Sequence, residues 1–78
     1  SEDYRRWVQS FRERAEGECR RQLTVAIKKA RAESRWAQME RLSRHLLDLD
    51  PLNETATLAA AEALAMAGSK ARAVRLLQ

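Results

Sequence analysis

The chain has 78 residues, 15 of them lysine or arginine and 11 aspartate or glutamate, and a formal net charge of +4. This length allows one domain, which we predict over residues 1–78. With one cysteine and one histidine the chain lacks both an internal disulfide and the roughly four ligands of a structural zinc site. No apolar run reaches the about 20 residues of a membrane span, and the start fits neither a signal nor a transit peptide. We therefore expect a soluble, cytoplasmic domain held together by packing alone.

Alanine dominates the apolar residues. The chain contains 14 alanines but only three valines and one isoleucine. Alanine has the highest helix propensity, and its small side chain lets two helices approach closely. Strands are not expected, because β-branched residues are scarce and no segment alternates with a period of two. The composition predicts an all-α fold of closely packed helices.

The first predicted helix spans residues 3–31. Apolar residues recur three or four positions apart from Tyr4 to Ala30, which is the spacing of one face of an amphipathic helix. Acidic residues stand at its start and basic residues at its end, as the helix dipole favours. Gly17 falls in the middle, where it costs about 1 kcal/mol relative to alanine and marks a position where the helix can bend. We predict one helix, with a kink at Gly17 as the open alternative.

The second predicted helix spans residues 35–49. Ser34 is expected to cap it, and Pro51 follows its end, because proline disfavours helical geometry in the residue before it. The inward positions are expected at Trp36, Met39, Leu42 and Leu46.

Two further helices are predicted over residues 53–67 and 69–78. Asn53 is expected to cap the third helix and Gly68 to end it, since glycine readily adopts the left-handed geometry that follows a helix. Ser69 is expected to cap the fourth helix. The connections are short, so consecutive helices are expected to pack antiparallel.

Two helical hairpins can be superimposed at an offset of 34 residues, which is the tetratricopeptide period. The small and bulky positions of that repeat match residues of both units, with Gly68 at a turn and Pro51 at the closing proline position. The sequence therefore predicts antiparallel helical hairpins in a tetratricopeptide-like, right-handed stack of about four helices. A plain helical bundle is the alternative. The matched positions are Leu23, Ala26, Ile27 and Ala30 in the first unit and Thr57, Ala60, Ala61 and Leu64 in the second.

Three parts of the sequence carry a resemblance to a known family: Tyr4, Trp7, Val8, Arg12 and Arg14, the passage 46–54, and residues 63–68 with Ala71, Ala73 and Val74. Through them the chain resembles the bacterial transcriptional activator domain, a tetratricopeptide-like region found beside the DNA-binding domain of antibiotic regulatory proteins and similar regulators. The resemblance implies a non-enzymatic regulatory or dimerisation module of a transcription regulator, excised from a longer protein whose DNA-binding domain lies upstream. It implies a protein partner or a homodimer, and contact with DNA only through that separate domain.

The positive charge lies in the first part of the chain. Residues 1–45 hold 12 basic and 7 acidic side chains, whereas residues 46–78 hold 3 basic and 4 acidic ones. One alternative function is therefore a helical domain that contacts nucleic acid through its basic first helix. Trp7 and Phe11 lie near arginines but on the apolar stripe, so we expect them to be buried. A generic tetratricopeptide scaffold in an unrelated multidomain protein is the other alternative.

A candidate partner-binding face follows from the repeat geometry, because the first helix of a tetratricopeptide hairpin lines the concave surface. A groove with this charge favours an acidic peptide, whereas a solvated charged face is the simpler interpretation. The residues expected on this face are Arg21, Thr24, Lys28, Arg31, Leu58 and Glu62.

No residues form a recognisable catalytic or cofactor-binding motif. A nucleophile with a base and an orienting group, a glycine-rich phosphate loop and paired metal carboxylates are all missing from the sequence. Cys19 is expected to pack on the apolar stripe, with an accessible reactive thiol as the alternative, and His45 is expected to lie at the surface. We expect no enzymatic activity, no cofactor and no metal.

Overall fold

The computed structural model describes residues 1–77 as three helices joined by short turns. Helix α1 spans Glu2–Ala32, α2 spans Trp36–Leu49 and α3 spans Glu54–Leu77. No strand occurs within the described range, so the all-α prediction is confirmed.

The end of α1 differs from the prediction. The helix passes through Gly17 without a break and ends at Ala32. Ser34, two residues further on, has a φ of 57°, which lies in the left-handed region. The Ser34 N–H donates to the Arg31 carbonyl at 3.1 Å and the Arg35 N–H to the Ala30 carbonyl at 2.8 Å, which are the bonds of a Schellman motif. Ser34 thus closes α1, and the prediction that it caps α2 is wrong. Arg35 occupies that cap position without a side-chain hydrogen bond.

The turn between α2 and α3 follows the prediction. Helix α2 ends at Leu49, two residues before Pro51. Asn53 caps α3, since its Oδ1 accepts the Ala56 N–H at 2.9 Å. The chain therefore reverses between Leu49 and Glu54, and α3 packs beside α2.

The predicted boundary between a third and a fourth helix is wrong. Helix α3 continues through Gly68, which does not adopt positive φ, and nothing lies within 4 Å of a Cβ placed on it. No contact therefore forces a reversal there, and helix propagation satisfies the backbone groups of the alanine-rich residues that follow. Gln78, the last residue of the predicted fourth helix, lies outside the described residues.

The core lies along α2, which packs between α1 and the first half of α3. Ser43 is its fully buried polar residue, and the Ser43 Oγ donates to the Met39 carbonyl at 2.7 Å. Small side chains on α3 allow close approach to α2, whereas the partly buried Trp36 and Leu42 cover the edges of the core. The buried apolar residues are Ile27, Ala30, Met39, Leu46, Ala56, Ala59 and Ala63.

Two half-helices project from this core in opposite directions. Helix α1 is about 46 Å long and α3 about 36 Å, whereas α2 is only about 21 Å long, from a rise of about 1.5 Å per residue. The first half of α1 therefore extends past the end of α2, and the second half of α3 extends past its start. The molecule measures 67 × 19 × 15 Å. Most of its length lies outside the three-helix core.

The repeat positions do not have equivalent environments. In the first unit Ile27 and Ala30 are buried against α2, whereas in the second unit Ala61 and Leu64 are exposed. Helix α3 packs on α2 through a different stripe, which contains Ala59, and its repeat-matched face has no hairpin partner within residues 1–77. The tetratricopeptide-like stack remains a prediction.

Candidate protein-interaction surfaces

Half of the predicted partner-binding face comes together in the structure. Lys28 and Arg31 of α1 and Glu62 of α3 line one groove of about 430 Å³, next to Trp36 and Met66. Lys28 and Arg31 lie one turn apart near the end of α1, and the short turns place Glu62 opposite them.

Arg31 and Glu62 form the ion pair that joins α1 to α3. The Arg31 Nε donates to the Glu62 Oε1 at 2.6 Å, with both side chains partly exposed. This hydrogen bond, with the Glu62 charge, raises the pKa of the Arg31 guanidinium above its ordinary value. Because Arg31 is already paired, the groove offers an acidic peptide less charge than the sequence suggests. Its preference for such a peptide stays a prediction.

The other three predicted residues lie apart from this groove. Arg21 donates to Glu18 on its own helix at 3.1 Å, and Glu18 also accepts from Gln22 at 3.0 Å. Thr24 is half-buried and its Oγ1 donates back to the Arg20 carbonyl at 2.8 Å. Leu58 is exposed beside the turn at Pro51. These three residues do not line the groove of Lys28, Arg31 and Glu62. The partner-binding face as a whole stays a prediction.

The first half of α1 carries a row of exposed aromatic rings, which we call the aromatic ladder: Tyr4, Trp7 and Phe11. The Tyr4 and Trp7 ring centroids lie 6.5 Å apart, and those of Trp7 and Phe11 lie 5.9 Å apart in a stacked arrangement. The three residues are 67%, 60% and 58% exposed. The expectation that they are buried is wrong, because α2 is too short to reach this half of α1.

A second apolar surface lies between the start of α2 and the second half of α3. We call it the α2–α3 groove; its volume is about 950 Å³. Trp36 and Ala37 line it on α2, and Ala67, Ala71 and Val74 line it on α3. Sequence reasoning missed this groove, because it exists only where α3 continues through Gly68 instead of turning back.

Cys19 and His45 line a shallow groove of about 800 Å³ between α1 and the end of α2. Both residues are exposed. The expectation for His45 is confirmed. The expectation that Cys19 packs on a buried apolar stripe is wrong, since α1 turns its buried side toward α2 only from Leu23 onward. Among residues 1–77, no three His, Cys, Asp or Glu side chains are grouped so that they could hold a metal ion.

No family model matches the chain, and neither a curated protein nor a solved structure is significantly similar to it. None of the helices described here is both long enough and apolar enough to cross a membrane.

Proposed function

We propose that the chain is a non-catalytic, tetratricopeptide-like module through which a bacterial transcription regulator in the cytoplasm associates with protein, foremost with a second copy of itself. The observation that carries the proposal is the aromatic ladder on a half-helix that has no packing partner among residues 1–77. Exposed apolar patches of this kind mark interaction surfaces on small proteins. In this proposal neither the aromatic ladder nor the α2–α3 groove contacts DNA or a membrane. A separate domain of the parent protein binds DNA.

A second copy is the preferred occupant of the aromatic ladder for reasons of charge. Residues 1–16 contain four arginines and four acidic residues, so this half of α1 is balanced and two copies do not repel each other. A two-fold interface places the same patch on both subunits, and stacked aromatic pairs contribute about 0.5–1.5 kcal/mol beyond their buried area.

Light scattering over a range of concentrations tests this proposal. The molar mass is expected to rise from the 9.0 kDa of one chain toward twice that value as concentration increases. The variant Trp7→Gln with Phe11→Gln is expected to stay a monomer. The control, Arg5→Lys with Arg12→Lys, alters exposed residues of the same half-helix outside the aromatic ladder, keeps its charge balance and is expected to associate as strongly as wild type. A wild-type chain that stays monomeric at high concentration would count against self-association.

One observation supports the alternative of nucleic-acid contact: the aromatic ladder is exposed beside arginines such as Arg5 and Arg12, and bases can stack on exposed aromatic rings. A titration with random duplex DNA at several salt concentrations distinguishes the two functions. Binding through phosphates weakens steeply as salt increases. Association through the aromatic ladder is driven by apolar burial and depends little on salt.

The transcription-regulator context is supported by the resemblance of passage 46–54 and of residues 63–68 to the bacterial transcriptional activator domain. A generic tetratricopeptide scaffold in another multidomain protein is the alternative. A winged-helix segment upstream of Tyr4 in the parent protein supports the regulator, and an unrelated domain there supports the scaffold.

A further inference from the structure

The α2–α3 groove is basic at its rim. Arg35 just before α2, Arg41 of α2, and Lys70 and Arg75 of α3 line it, and no acidic side chain does. Arg35 pairs with Glu33 at 3.1 Å, whereas Arg41, Lys70 and Arg75 form no ion pair with another residue of the described range. The groove therefore presents three cations without a partner around an apolar floor.

The floor of the groove has the spacing of a helix-packing surface. Ala67, Ala71 and Val74 recur at intervals of four and three on α3, which covers about 10 Å along the helix axis. The two alanines leave room for another backbone to approach. Trp36, half-buried at the start of α2, forms the opposite wall.

The occupant that fits this surface is a helix. Helices α2 and α3 satisfy their backbone groups internally, so the walls offer no edge to which an extended peptide could add as a strand. Affinity must come from side chains that pack on the floor, and an amphipathic helix supplies these at i, i+3, i+4 and i+7. Charge complementarity then requires acidic residues on the flanks of that helix.

We propose that the α2–α3 groove binds an amphipathic helix with acidic flanks, contributed by another protein. A second copy of this chain is disfavoured here, because its net charge is +4 and its exposed half-helix, residues 1–16, carries no net charge. Duplex DNA is disfavoured, because a phosphate backbone does not cover an apolar floor. This proposal names the partner class for the interaction role proposed above and rests on it.

A designed peptide provides the test. The probe is a fluorescein-labelled peptide of 16 residues with leucine at the i, i+3, i+4 and i+7 positions, glutamate on the two flanks of this stripe and alanine, a strong helix former, on the opposite face. Its binding is followed by anisotropy at about 0.15 M salt, where the Debye length of about 8 Å limits long-range attraction. A matched probe replaces every glutamate with glutamine. In the variant Trp7→Phe, Trp36 is the remaining tryptophan, and its emission is expected to shift to shorter wavelength when the glutamate probe binds.

The glutamate probe is expected to bind wild type at least about tenfold more tightly than the glutamine probe does, a difference of about 1.4 kcal/mol. The variant Arg41→Glu with Lys70→Glu is expected to lose about tenfold or more of that affinity. The control Arg5→Glu with Arg12→Glu makes the same charge change far from the groove and is expected to lose much less. All four side chains are exposed, so circular dichroism is expected to show unchanged helicity.

Three results would overturn the proposal: no binding of the glutamate probe, equal binding of both probes, or equal losses in the groove and control variants. Displacement of the probe by duplex DNA would assign the groove to nucleic acid. Weaker self-association of the groove variant would assign the groove to a second copy. If the probe fails while the wild-type chain still dimerises through the aromatic ladder, the groove proposal falls and the proposed function stands.

Discussion

The Arg31 Nε donates to the Glu62 Oε1 at 2.6 Å, across 31 positions of sequence and between the two helices that flank α2. Helices α1 and α3 otherwise touch little, because α2 lies between them. The pair therefore ties the end of α1 directly to α3.

Reversing both charges tests this tie. Either single variant, Arg31→Glu or Glu62→Arg, is expected to lower the melting temperature, because it places two like charges together. The double variant is expected to recover most of the loss. Thermal unfolding at low salt measures the recovery, and about 1 M salt is expected to reduce it, since the Debye length falls to about 3 Å. Losses that simply add in the double variant would show that the two side chains do not interact.

Ser34 holds left-handed geometry at the end of α1, which is unfavourable for a residue with a Cβ. Replacement with glycine is expected to stabilise the chain by about 0.5–1 kcal/mol, because the relieved strain exceeds the added freedom of the unfolded chain. Urea unfolding measures the change. A loss of stability in Ser34→Gly would contradict the Schellman motif.

Gly68 lies in the interior of α3 with open space beside its Cα. Gly68→Ala is expected to stabilise the helix by about 1 kcal/mol and to increase helicity over residues 64–77. A helix ending in left-handed geometry at Gly68 predicts the opposite, since alanine is disfavoured there. Gly17→Ala is the matched control inside α1, where the new methyl group meets Arg20 Nη2 at 3.7 Å, an ordinary contact.

Hydrogen bonds from Arg21 and then from Gln22, with the Arg21 charge, lower the pKa of Glu18 below its ordinary value of 4.5. A lowered pKa in the folded state means that these bonds contribute stability above the unfolded pKa. The contribution is lost as the pH falls through the lowered value. Carbon-detected NMR titration is expected to place the Glu18 midpoint below 4.5, and Arg21→Ala to raise it. An unchanged midpoint in that variant would remove the interaction.

Local sequence signals predicted the parts of the fold that depend on neighbouring residues. The apolar spacing of α1, the Asn53 cap and the break before Pro51 are features of this kind, and the structure has all three. The sequence places Ser34 at the wrong helix. Serine is a common N-cap, so it predicts the start of α2, but in the structure Ser34 adopts left-handed geometry and helps to satisfy the last carbonyl groups of α1.

Features that depend on the relative lengths of the three helices could not be predicted from the sequence. Trp7 reads as a core residue from its spacing, but α2 is too short to cover it. Gly68 reads as a stop signal, but no contact favours a reversal at that point. The α2–α3 groove exists because α3 continues through Gly68, and the spacing of Lys70 and Val74 in the sequence does not indicate it. Lys28, Arg31 and Glu62 share one groove, as the repeat geometry suggests, but the ion pair between Arg31 and Glu62 could not be predicted from their spacing.

Amide hydrogen exchange over residues 4–15 at low and high protein concentration tests the central claim most directly. In a single chain this half-helix has few tertiary contacts, so its amides are expected to exchange rapidly. Self-association through the aromatic ladder predicts that protection of residues 4–15 rises with concentration in wild type. It predicts no such rise in the variant Trp7→Gln with Phe11→Gln, while residues 39–46 of the core stay protected throughout. Exchange over residues 4–15 that does not change with concentration in wild type would contradict the claim.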